Sequence, residues 1–97
     1  MNRDQVLAAL RRHRQDIEQH FAIKHLSVFG SAARDELRDD SDIDVLVEFK
    51  GKATFDGYME LKFYLETLLG RKVDLVTQDA VKPCMRSIIE QEAIHVT

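Results

Sequence analysis

The chain has 97 residues and a net charge of −3 at pH 7, with 44% of its residues hydrophobic and 32% charged. That length suits one small core burying about 60–65% of the unfolded surface, so a single domain over residues 1–97 is expected, without space for an accessory module. Acidic and basic residues are interspersed with no basic block, which argues against a direct nucleic-acid substrate; no apolar run suits a membrane span or a signal peptide, and a lone cysteine, Cys84, precludes an internal disulfide and suits the reducing cytoplasm.

In chain order, residues 5–21 predict one amphipathic helix with Val6, Leu10, Ile17 and Phe21 on a single stripe. Leu26-Ser27-Val28-Phe29 predicts a strand running into Gly30-Ser31 and a short helix-compatible Ala32-Ala33-Arg34. Ser41-Asp42-Ile43-Asp44-Val45-Leu46-Val47-Glu48-Phe49 is rich in β-branched residues and predicts a second strand. Residues 50–53 form a loop whose Lys50 and Lys52 are expected in solvent. A helix over residues 58–69 follows, with Leu61, Leu65, Leu68 and Leu69 as core candidates and Gly70 as its stop. Residues 72–77 predict a third strand. Pro83 can open a last helix over residues 83–93, because its missing amide is tolerated there; Met85, Ile88, Ile89 and Ala93 mark its core or partner-facing side. The order predicts an α/β (α+β) fold, a small mixed β-sheet with helices packed on it. His13, His20, His25 and His95 show no metal-ligand spacing, and Cys84 is expected to be structural.

The chemistry concentrates between Gly30 and Asp44. Residues two apart on a strand share a face, so Asp42 and Asp44 project together with Cα atoms about 7 Å apart. Two carboxylates can share one hard cation, and Mg²⁺ is commonly held by one or two carboxylates plus substrate phosphates. Asp74 is a lone acid inside the third predicted strand, expensive there without a partner. If that strand lies beside the second, Asp74 joins the pair as general base and as a ligand to the metal nearest the attacking hydroxyl. Gly30 lets backbone approach a phosphate, Ser31 adds a hydroxyl, and the amides of a starting helix attract anions. Arg34, one turn on, could support phosphate charge or pair with a nearby acid. An Asp-x-Asp alone is common in so acidic a chain; the specificity comes from the ordered set of strand, Gly-Ser, short helix, Ser-Asp-x-Asp and later Asp.

Gly30-Ser31-Ala32-Ala33-Arg34 followed by Ser41-Asp42-Ile43-Asp44 resembles the signature of the polymerase-beta-like nucleotidyltransferase superfamily, in particular its minimal (MNT) branch. Residues 72–77 match the strand bearing that family's third carboxylate, and residues 83–93 its closing helix. The resemblance implies Asp42, Asp44 and Asp74 as catalytic and metal-binding residues, with Gly30, Ser31, Arg34 and Ser41 around the nucleotide. It also implies two Mg²⁺ ions, ATP as substrate, and AMP transfer to a hydroxyl, a tyrosine, of a HEPN-domain toxin that the chain neutralises as antitoxin. A homodimer or a mixed complex with that partner would use exposed apolar helix faces. The family usually has Gly after the motif Arg, where this chain has Asp35. Asp adopts the left-handed conformation better than most residues, yet it brings negative charge near the triphosphate. Two other readings follow: an antitoxin that acts by binding alone, and a small-molecule, aminoglycoside-type nucleotidyltransferase, which normally needs an extra domain.

Overall fold

A computed structural model of the chain describes residues 2–38 and 40–96. Asp39, inside the motif segment, lies outside the described residues.

The amino-terminal stripe forms two helices rather than one, α1 (Arg3–Arg12) and α2 (Arg14–Phe21). Asn2 opens α1 through a capping box with Gln5: each side chain accepts the other's backbone N–H. At His13 the amide reaches only three residues back, to the Leu10 carbonyl at 3.2 Å. That tightened turn breaks the axis, and the ladder resumes where Ile17 N–H meets the His13 carbonyl. Val6, Leu10 and Ile17 are nonetheless fully buried, so the stripe keeps its function across the break.

Among the described residues four strands follow in the spatial order β3-β2-β1-β4. β1 (Ile23–Phe29) runs antiparallel to β2 (Ile43–Phe49), with Val28 opposite Val45 and Phe29 opposite Asp44. The crossover helix α4 (Phe55–Leu69) returns the chain so that β3 (Val73–Thr77) lies parallel to β2. Thr54 caps α4 by accepting the Gly57 amide, and Gly70 ends it at φ 66°. The helix thus starts three residues before the expected Tyr58, because Thr54 supplies the cap. A short 3-10 turn (Gln78–Ala80) precedes α5 (Pro83–Glu92), and Ile94–His95 form β4, pairing antiparallel with β1. Neither the 3-10 turn nor β4 was expected; two residues carry too little alternation to announce a strand.

Strand alternation divides the sheet into two faces. Leu26 and Val28 of β1, Ile43, Val45 and Val47 of β2, and Val73 and Leu75 of β3 enter one core with Val6, Leu10, Ile17, Leu61, Leu65 and Leu69 of the helices. The opposite face carries Ser27, Asp44, Leu46, Glu48 and Asp74, and α5 lies over its far end. The outer edge of β3 is closed by α4 rather than by another strand: Glu66 accepts the Val73 amide at 3.1 Å, and the Tyr58 hydroxyl donates to the Leu75 carbonyl. Those two side chains satisfy groups that would otherwise template intermolecular pairing.

Candidate active site

Ile43 is fully buried, so its neighbours on either side point the other way. Asp44 is the second residue of β2 and half-buried, while Asp42 stands exposed just before the strand instead of within it. The parallel register sets Asp74 directly across from Asp44. Adjacent strands are about 4.8 Å apart, so the condition on which Asp74 joins the pair is met by the sheet itself. The crowding has an electrostatic consequence: burial, then the charges of Asp74 and Asp42 and a hydrogen bond with Asp74, push Asp44 up to about 6, opposed by the Arg34 charge.

Gly30 presses directly on this carboxylate. It sits at φ 68°, and a Cβ built there would lie 2.2 Å from Asp44 Oδ2. Only glycine allows the backbone so close, and only glycine takes that φ without strain. Gly30 and Ser31 begin the one-turn helix α3 (Gly30–Ala33), whose Ala32 and Ala33 anchor it in the core. The turn closes with two bonds, Glu36 N–H to the Ser31 carbonyl at 2.8 Å and Asp35 N–H to the Ala32 carbonyl at 3.2 Å. This is a Schellman ending with Asp35, at φ 60°, in the usual glycine position. Its carboxylate turns towards the start of α1, where Asp35 Oδ1 accepts the Arg3 amide at 2.9 Å.

The remaining motif residues are engaged locally. Arg34 bonds Glu36 at 3.2 Å and Glu92 of α5 at 2.9 Å, contacts that raise its already high pKa, with the Glu36 bond the larger cause. It is tied to acids while close enough to bias Asp44. Ser41 Oγ accepts the Arg38 amide at 3.1 Å, and the Ser41 amide returns a bond to the Arg38 carbonyl, which the Arg71 guanidinium also reaches. Lys50 and Lys52 are exposed in their loop, and Cys84 is an exposed free thiol.

Among the described residues no three His, Cys, Asp or Glu side chains are arranged to enclose a metal ion by themselves. The donors present nevertheless suit Mg²⁺: hard carboxylate oxygens, mutually repelling around Asp44, with substrate phosphates to complete the set. Sequence spacing did not single out Leu46 and Glu48, which share the face of Asp44; the same two-residue period, continued along β2, would have found them.

Paired strands with carboxylates in register, beside a glycine turn that opens a helix, define a nucleotidyltransferase core. The family comparison agrees, since a nucleotidyltransferase-domain profile matches residues 10–96, and the chain belongs to that family. Across 93 residues it is 33% identical to the protein adenylyltransferase MntA of Thermococcus cleftensis, covering 96% of this chain and 94% of that protein. A solved structure described as a minimal nucleotidyltransferase superimposes with a TM-score of 0.83 at 37% identity, covering 97% of this chain and 95% of the other. The fold is also shared, with a TM-score of 0.68 at 16% identity and coverage of 94% and 71%, by a chain in the complex of a tri-AMPylated Shewanella oneidensis HEPN toxin with its MNT antitoxin. Among the described residues no helix is long and apolar enough to cross a membrane.

Proposed function

We propose that this nucleotidyltransferase uses Mg²⁺ and ATP to transfer AMP to a tyrosine hydroxyl of a HEPN-domain toxin in the cytoplasm, and thereby acts as its antitoxin. The observation that carries the reading is the register of Asp44 against Asp74, beside a backbone that only Gly30 can bring so close. Asp42 and Asp44 would hold the metal, and Gly30 with Ser31 would seat the triphosphate. Asp74 would take the proton of the acceptor hydroxyl as its oxygen bonds the α-phosphorus and the bond to pyrophosphate breaks. Bound Mg²⁺ would offset the charge of the carboxylates and phosphates. Arg34 and Ser41 would support the nucleotide indirectly, Arg34 through its charge beside Asp44 and Ser41 by holding the approach to β2.

The name of the Thermococcus relative and the modified toxin in the Shewanella complex support protein AMP transfer and a HEPN partner. The binding-only reading rests on Asp35, whose carboxylate is occupied by the Arg3 amide. The test is intact-mass analysis of a partner HEPN-domain protein after incubation with this chain, ATP and Mg²⁺. Addition of AMP units by the wild type and none by an Asp42→Asn, Asp44→Asn variant is the expected result. A stable complex with no mass gain would refute transfer.

A further inference from the structure

On β2 the residues facing away from the core are, in order, Asp44, Leu46 and Glu48. Beyond Asp44 on that face, a cleft of about 670 Å³ opens between the sheet and α5. Leu46, Val81 and Ile89 make its walls apolar, while Glu48 and Glu90 set two carboxylates against the guanidinium of Arg86 and the imidazoles of His25 and His95, with His25 Nε2 3.9 Å from Glu48. The volume falls in the range of ligand sites, about 300–1,000 Å³. Its place along the strands is informative. Phe29 pairs with Asp44 and Ser27 with Leu46, so the chain passes the cleft, then the carboxylates, and only afterwards reaches Gly30. The order along the sheet is therefore phosphate seat, carboxylates, cleft.

In phosphoryl transfer the attacking and leaving oxygens stand roughly in line on opposite sides of phosphorus. A triphosphate tail at Gly30 puts pyrophosphate on one side of the carboxylates and the incoming hydroxyl on the other, where the cleft begins. We propose that this cleft receives the acceptor polypeptide: an apolar side chain close to the modified hydroxyl enters between Leu46 and Ile89, and a basic residue beside it meets Glu48 and Glu90. This rests on the adenylyl-transfer reading above and adds the recognition chemistry of its acceptor.

Two variants away from Asp44 and Asp74 test it, Glu90→Lys on the exposed face of α5 and Gln78→Trp, which fills the cleft from its wall. Binding of AMP-PNP with Mg²⁺ is followed by calorimetry, and AMP transfer to the HEPN-domain protein by mass. Both variants should raise KM for the protein about tenfold, a loss of about 1.4 kcal/mol, while nucleotide affinity stays unchanged. Weakened AMP-PNP binding would overturn the proposal by making the cleft a nucleoside site, as would wild-type kinetics in both variants. A wild-type chain that transfers nothing would remove the adenylyl-transfer reading and the acceptor assignment together, an outcome distinct from active enzyme with unaltered variants.

Discussion

Replacing Asp44 by Asn should stabilise the metal-free protein while abolishing transfer. In the folded chain Asp44 is raised from 3.8 to about 6, chiefly by burial and then by the Asp74 and Asp42 charges. A raised carboxylate contributes stability only when protonated: its contribution is full below 3.8 and is lost as pH climbs through about 6. At pH 8 the ionised form therefore costs about 3 kcal/mol at about 1.36 kcal/mol per pH unit, reduced to about 1–2 kcal/mol by solvent screening at this half-open position. Asn keeps the shape and the capacity to bond Asp74 without the charge. Thermal unfolding in EDTA at pH 8 should accordingly show the variant melting about 5–10 °C higher. At pH 4 the wild-type carboxyl is protonated in the fold and partly so in the unfolded chain, and most of the gain should vanish. A variant less stable than wild type at pH 8, or equally stabilised at both pH values, would refute the electrostatic account of this site.

Gly30→Ala should lower kcat/KM about a hundredfold by displacing Asp44, whereas Gly70→Ala, at a similar positive φ with open space around it, should cost about 1 kcal/mol of stability and leave transfer intact; steady-state AMP transfer with parallel denaturant titration separates the two. Asp35→Gly relieves a left-handed residue but deletes the bond to the Arg3 amide, so stability should change by less than about 1 kcal/mol and transfer should not rise; a large gain in rate would show that Asp35 does burden the triphosphate. Tyr58→Phe leaves the Leu75 carbonyl on the β3 edge without its donor, so about 1 kcal/mol should be lost in urea titration and self-association on size-exclusion chromatography should increase.

What the sequence by itself determined is whatever depends on neighbours a few residues apart. Period-two alternation is a property of extended backbone, so Asp44 had to face away from the core once Ile43, Val45 and Val47 were committed to it, whereas Asp42, expected on the same strand face, stands just before β2. Period-3.6 spacing likewise marked Val6, Leu10 and Ile17, whereas the left-handed turn at Asp35 was expected only through the resemblance to a family that usually has Gly there. The same local logic passed over the break at His13, where the stripe continues through a single tightened bond, and over β4, which exists only because β1 offers it an edge. Tertiary structure alone decided the rest. Nothing near Asp74 in sequence says that it stands across from Asp44; the crossover through α4 and the parallel register do. Arg34 finds Glu92, and Asp35 the Arg3 amide, across 58 and 32 residues. The cleft beyond Asp44 arises where α5 covers one end of a sheet face and leaves the carboxylate end clear. Short-range geometry chose which way each side chain points, but only burial of the shared core could choose which strands lie together, and that choice assembles the site.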